Sequence, residues 1–179
     1  MLYIITALKS EAQAFVDKYK LQKSSLKEFT LFQNDKISLI VSGIGVDASR
    51  EATQALINSF DISDDDIYLN IGICGAATQY KIGELLSIGS IIYQEINYSF
   101  KGSPLSITCV NRAIDSDEYE IVDMESFGFY DAVIHSPAIK NMFILKVVSD
   151  HFQPQSVTKE KTKMLIFNQI DAINKLIKF

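Results

Sequence analysis

Four carboxylates stand where an apolar run of this sequence gives way to a polar or glycine-containing stretch. Glu11 follows Leu2 to Leu8, Asp123 and Glu125 follow Glu120-Ile121-Val122, and Asp150 follows Met142 to Val148. Carboxyl groups so placed can give or take protons, hold hydroxyls, or stabilise positive charge developing on a substrate. Two further junctions carry exposed backbone instead of charge: Ser42-Gly43-Ile44-Gly45 and Gly72-Ile73-Cys74-Gly75-Ala76. Each feature has an ordinary structural explanation. Glu11 suits the first turn of a helix, Glu125 a helix start, Asp150 a turn, and the SGIG run a tight turn. Glu11, Glu125, Asp150 and the two glycine-containing junctions, five features at one sheet edge, describe a cleft for a small polar ligand.

The elements that must position these groups read as alternating strands and helices. Leu2–Ile5 is the first strand, and Ser10 with Gln13 fits a capping box that opens a helix to about Tyr19. Glu28–Gln33 and Lys36–Ser42 form a hairpin around Asn34-Asp35, followed by a helix from Asp47 to Phe60. Asp61–Asp66 is a polar connection, and Asp64-Asp65-Asp66 reads as a solvated loop. Ile67–Ile71 is a strand that ends in the second glycine loop. Residues 81–96 are strand-rich, 97–103 a loop with Tyr98 and Phe100, Leu105–Val110 a short strand, and Asn111–Tyr119 a polar connection. Glu120–Val122, a helix over Ser126–His135 and Met142–Val148 suggest a βαβ unit with parallel strands. That arrangement would bring Glu125 and Asp150 to one edge. A last helix presents Ile166, Ile170, Ile173 and Ile177 on one face. The expected fold is α/β: a single domain over residues 1–179, in three layers, with a central mixed, largely parallel twisted sheet flanked by helices.

Composition narrows the partners. The 179 residues carry a net charge of −5 and only two arginines, Arg50 and Arg112, so a nucleic acid polymer is not an expected partner. No apolar run reaches membrane-spanning length, and the start lacks the pattern of a signal peptide, so no membrane partner is expected. Cys74 and Cys109 stand apart, as reduced thiols of a cytoplasmic protein do. His135 and His151 share no ligand spacing, so no metal site is expected. Gly43-Ile44-Gly45-Val46-Asp47-Ala48 satisfies a dinucleotide-loop pattern, but it follows a later strand, and the next strand ends without an acidic residue for a ribose. No P-loop is present, and no cofactor is expected.

Taken together, the motifs resemble those of the nucleoside phosphorylase and nucleosidase superfamily. Val122-Asp123-Met124-Glu125-Ser126 is similar to its V-[ED]-M-E-[AS] signature, and Ser42–Gly45 to its SGIG turn. Gly72–Ala76 sits where the family has G-[ST]-A-G-[GS], and Val148-Ser149-Asp150 where it has [IV]-S-D. Ala7-Leu8-Lys9-Ser10-Glu11 resembles the A-M-x-x-E of the methylthioadenosine/S-adenosylhomocysteine nucleosidase branch, here in a shortened chain. Order and spacing agree from residue 2 to about 178.

The resemblance implies cleavage of an N-ribosidic bond in a purine nucleoside or its 5′-thio derivative. It assigns Asp150 to protonate the purine at N7 and Glu11 to hold and deprotonate the attacking water. Glu125 would accept ribose hydroxyls, Met124 pack on the sugar, Gly75 bring backbone close to substrate, and Ser149 orient Asp150. A homodimer is expected. Hydrolysis is favoured over phosphorolysis because neither arginine sits in a phosphate-binding loop, and Glu11 would repel phosphate. The alternatives are a phosphate-dependent phosphorylase, or a catalytically degenerate nucleoside-binding protein of the same fold. The shortening falls between about Asn97 and Tyr119, where the family supplies a base-stacking aromatic; Tyr98 or Phe100 are the candidate replacements.

Overall fold

Ten strands, all but β2 containing β-branched or aromatic residues, and four α-helices form in a computed structural model that describes residues 1–100 and 102–179. Strand β1 (Leu2–Thr6) leads into helix α1 (Lys9–Tyr19), and β2 (Gln22–Leu26), β3 (Phe29–Gln33) and β4 (Ile37–Val41) follow. Then come α2 (Val46–Ile57), β5 (Ile67–Ala76), β6 (Leu85–Tyr93), β7 (Ile96–Ser99), β8 (Leu105–Cys109) and β9 (Ile121–Asp123). Helix α3 (Ser126–Ile134), β10 (Asn141–Asp150) and α4 (Lys159–Ile177) complete the chain.

The strands form one mixed sheet with helices on both faces. One face packs Ala52, Ala55 and Leu56 of α2 and Phe129 and Val133 of α3 against Ile5, Tyr68 and Val148. The other packs Ala12 and Phe15 of α1 and the stripe Ile166, Ile170, Ile173 and Ile177 of α4 against Leu69, Leu145 and Val147. The centre of the sheet, β4-β1-β5-β10, is parallel. Around it lie antiparallel pairs: β2 with β3, β3 with β4, β6 with β7, β6 with β10, and β9 with β5. Two further pairs, β6 with β8 and β8 with β9, are parallel. The sheet is therefore mixed, and the expectation that it is largely parallel is not met. Strands β5, β10, β6, β8 and β9 pair in a closed ring, so this end of the sheet curls into a small five-stranded barrel.

The expected βαβ unit is absent. Strand β9 runs antiparallel to β5, and β10 runs parallel to β5, so β9 and β10 are opposed and do not pair. The two carboxylate-bearing ends still meet, by another route. Gly75 of β5 lies opposite Val122 of β9 on one side and opposite Asp150 of β10 on the other. One glycine of the central strand thus joins the two segments that β9 and β10 deliver.

Other boundaries move for identifiable reasons. Strand β5 continues through Gly72–Ala76 instead of ending in a loop, because β10 and β9 flank it to its tip. Asn97–Ser99, expected as loop, belongs to β7 and pairs with the end of β6. Lys101, within that expected loop, lies outside the described residues. Asp66 is buried and accepts the Ser63 N–H, unlike its exposed neighbours Asp64 and Asp65.

Candidate active site

Helix α1 starts two residues earlier than expected, at Lys9 with Leu8 as its N-cap, and Glu11 caps it in place of the Ser10–Gln13 pair. Glu11 Oε2 accepts the Leu8 N–H at 2.8 Å, and Oε1 accepts the Ile73 N–H of β5 at 3.0 Å. The structural reading of Glu11 is therefore correct, but the side chain is also 2% exposed and lies across the central strand. A methyl group on Gly72 would stand 2.9 Å from Oε1, so only glycine leaves room for the carboxylate. Burial pushes this carboxyl above its ordinary range, against the opposing pull of the backbone N–H groups and Lys146.

Glu125 ties two of the sequence motifs together. Its Oε1 accepts the N–H of Gly45, 3.1 Å away, at the end of the SGIG turn. Gly45 adopts φ +108°, a conformation that side-chain-bearing residues rarely take, and it directs this N–H to the carboxylate. Helix α3 is held at its start not by Glu125 but by Asp123, which accepts the Ser126 N–H at 2.8 Å and the Ser126 hydroxyl at 2.7 Å.

Asp123 also pairs with Lys146, a lysine 1% exposed in the middle of β10, at 2.7 Å. Burial alone would drive this ammonium toward neutrality, but Asp123, Glu125 and Glu11 reverse that and hold it protonated above the usual lysine range. Neither Asp123 nor Lys146 was among the site residues expected from sequence. The available signal was a lone lysine inside an otherwise apolar strand, which demands a buried partner.

Burial, with Asp123 and Glu11 nearby, pushes Glu125 up to about 7. Its proton is therefore bound more tightly in the folded state than in the unfolded one. Folding stability from this group is greatest at low pH and falls as pH rises from about 4.5 through 7. Glu125→Gln, which keeps an acceptor for Gly45, should remove that dependence. Its stability relative to the parent should climb between pH 5 and 8 by on the order of 1–3 kcal/mol in urea titrations. A pH-independent difference would contradict the burial argument.

Asp150 follows a bulge in β10: Val148 faces Cys74, Asp150 faces Gly75, and Ser149 is the extra residue. Such bulges re-aim side chains beside functional clefts. Asp150 Oδ1 accepts the Gln153 N–H at 2.8 Å. The Ser149 hydroxyl lies 2.7 Å from Oδ2 and 3.1 Å from the Cys74 carbonyl, as orienting Asp150 would require. Phe152 adopts φ +55° and is 6% exposed. A methyl on Gly75 would meet Val122 at 3.3 Å, the Phe152 ring at 3.5 Å and Asp150 Oδ1 at 3.7 Å. Phe152 and Asp150 thus share the space above Gly75. Tyr98 and Phe100, the aromatics expected from sequence, pack instead on Phe127 and Tyr130 of α3: Tyr98 meets both rings tilted, and Phe100 stacks on Tyr130.

Glu11, Asp123, Met124, Glu125 and Asp150 line one cavity of about 220 Å³, walled also by Leu8, Ile44, Ile73 and Val157. Residues from the start, middle and late part of the chain converge there, while Gly75 and Ser149 stand behind Asp150. Arg50 is engaged by Asp47 and Asp131 and does not line this space. Four carboxylates against one ammonium make the cavity strongly acidic. It suits a ligand that offers hydroxyl donors and develops positive charge.

No protein-family model matches the sequence, and no curated protein sequence matches it. Solved structures do match in fold. A 5′-methylthioadenosine/S-adenosylhomocysteine nucleosidase from Neisseria meningitidis, in complex with methylthio-immucillin-A, superposes with a TM-score of 0.78 at 16% identity, covering 99% of this chain and 98% of that one. The corresponding nucleosidase from Colwellia psychrerythraea, in complex with adenine, gives 0.78 at 17% identity, over 99% and 94%. Futalosine hydrolase of Helicobacter pylori gives 0.78 at 13% identity, over 99% and 97%. Over nearly its whole length, the chain has the fold of these nucleoside-cleaving hydrolases.

Proposed function

We propose that this protein is a purine nucleosidase that hydrolyses the N-ribosidic bond of a purine nucleoside or its 5′-thio derivative. The observation that carries the reading is the convergence of Glu11, Glu125 and Asp150 on one cavity. In this reading the bond from C1′ to N9 lengthens, and its electron pair moves into the purine. Asp150 gives its proton to N7, so the base leaves neutral. The ribose gains oxocarbenium character, which the surrounding carboxylates stabilise. Water adds to C1′, and Glu11 takes its proton. Glu125 receives ribose hydroxyls, Met124 lies under the sugar, and Phe152 supplies an aromatic wall for the base over Gly75.

Hydrolysis is supported by the carboxylate lining and by the engagement of Arg50 elsewhere, since a phosphate cosubstrate calls for cationic donors at the reacting end. A single domain over residues 1–179, a homodimer and a cytoplasmic location belong to the same reading. One continuous sheet and two buried free thiols, Cys74 and Cys109, are in keeping with the first and third. No helix among the described residues is long and apolar enough to cross a membrane.

Incubation with methylthioadenosine, S-adenosylhomocysteine, adenosine and inosine, each with and without phosphate, should release free base from at least one without phosphate. Release that requires phosphate would make the protein a phosphorylase. Binding without release would make it a nucleoside-binding protein of this fold.

A further inference from the structure

A cavity of about 600 Å³ lies at the opposite edge of the sheet from the carboxylate cluster. Glu11 follows the end of β1, whereas this cavity stands at the starts of β1 and β4, and the two share no lining residue. Its floor is a row of side chains across four strands. Tyr3 is paired with Ser38, Ser38 with Gln33, and Gln33 with Gln22, so all four lie on one face of β1, β4, β3 and β2. Ser38, Gln33 and Gln22 line the cavity, and Phe60, just after α2, closes one end by packing on Tyr3 at 5.4 Å between ring centroids.

Ser38 interrupts the otherwise apolar strand Ile37–Val41. It is 1% exposed, and its hydroxyl has no hydrogen-bond partner among the described residues. A polar group so placed costs stability unless something in the cavity meets it. The side-chain amides of Gln22 and Gln33 are also without partners among the described residues. Asn34, by contrast, is spent on backbone: it accepts the Lys36 and Ile37 N–H groups and donates to the Tyr19 carbonyl. Lys20, at the end of α1, and Lys23, in β2, line the same space. Lys18 is held by Asp171 and Lys163 by Asp17, but neither Lys20 nor Lys23 has an ion pair among the described residues. Asp35, at the turn between β3 and β4, is the one carboxylate among the described lining residues.

From this arrangement we infer that the cavity is a second binding site, for the phosphate monoester of a sugar. The inference uses no part of the nucleosidase reading. Two unpaired ammonium groups in one concavity call for an anion that carries more than one charge. The Ser38 hydroxyl and the two amides offer donors and acceptors together, which is what sugar hydroxyls require. The Phe60 ring presents an apolar face to the C–H side of the sugar. Asp35 accepts hydroxyls and repels phosphate, so the phosphate lies toward Lys20 and Lys23. The volume is far more than an inorganic phosphate fills, so the body of the ligand carries part of the recognition.

Calorimetric titration with glycerol 3-phosphate, ribose 5-phosphate and glucose 6-phosphate tests this, each beside its unphosphorylated parent and inorganic phosphate. At least one ester should bind about tenfold tighter than both inorganic phosphate and its own parent compound. Lys20→Met combined with Lys23→Met should weaken that ester about tenfold, and about 0.5 M salt should do much the same. Ser38→Ala should weaken it about three- to tenfold and leave the salt dependence in place. Urea unfolding midpoints close to the parent's show that both variants are folded; if Ser38→Ala is not, the lysine variant, which alters only exposed side chains, decides alone. Three results overturn the inference: no ester bound more tightly than inorganic phosphate, affinity retained in the lysine variant, or an ester displaced by adenosine, which would place it in the carboxylate cavity. None of the three bears on whether the protein releases free base from nucleosides.

Discussion

Asp150→Asn is expected to lower kcat by about 10²- to 10⁴-fold while KM and the unfolding midpoint stay close to those of the parent. The structure explains why the loss should be confined to chemistry. Oδ1 accepts the Gln153 N–H, and an asparagine carbonyl oxygen can do the same. Oδ2 lies beside the Ser149 hydroxyl, which can turn its proton to the Cys74 carbonyl and accept from the new amide instead. Shape and hydrogen bonds are therefore preserved, and the one property removed is the ability to give up a proton. Without that proton the purine must leave as an anion, and this cost appears only in the transition state. Single-turnover base release and urea unfolding, measured on the same preparation, make the comparison. Activity within threefold of the parent would take the acid role away from Asp150. A collapse of stability would show that its contacts, not its proton, matter.

Part of this geometry was legible in the sequence because it depends on local rules. The stripe Ile166, Ile170, Ile173, Ile177 repeats with helical period and is buried throughout. Asn34 invites a turn, and its side chain does accept the Lys36 and Ile37 N–H groups between β3 and β4. Glu11, Met124, Glu125 and Asp150 stood out because each belongs to a recognisable motif, and all four line the cavity.

What escaped the sequence is long-range pairing. The three residues of β9 carry no mark of direction, and only their registry with Gly75 and Ala76 makes the strand antiparallel to β5. The left-handed backbone of Phe152, unusual for so large a residue, has no local signature either, and so its place over Gly75 could not be foreseen. Tyr98 and Phe100 had the right chemistry for a base wall, but Ile96–Ser99 pairs with β6 and sends them toward Phe127 and Tyr130. Asp123 was seen as one of the carboxylates but not as a site residue, because its importance depends on Lys146, more than twenty positions away in the chain.

That pair sets the second large expectation. Lys146→Met should destabilise the fold by about 3–5 kcal/mol at neutral pH, because it leaves Asp123 buried without its cation. Asp123 would keep the Ser126 N–H and hydroxyl, which stabilise a carboxylate but supply no full charge. Adding Asp123→Asn removes the orphaned charge, so the double variant should recover much of the loss despite having lost two native side chains. The same substitution reaches the cavity. Lys146 is the ammonium that holds Glu11 and Glu125 down against burial, so without it both carboxyls should keep their protons to higher pH. If Glu125 receives ribose hydroxyls as a carboxylate, tight nucleoside binding in Lys146→Met should begin at higher pH than in the parent. Urea titrations of the single and double variants, with nucleoside affinity followed from pH 6 to 9, read both effects. Destabilisation below about 1 kcal/mol would mean that Asp123 is not isolated from water. An unshifted affinity profile would mean that the cavity carboxylates do not feel the lysine, and that the charge balance of the site lies elsewhere.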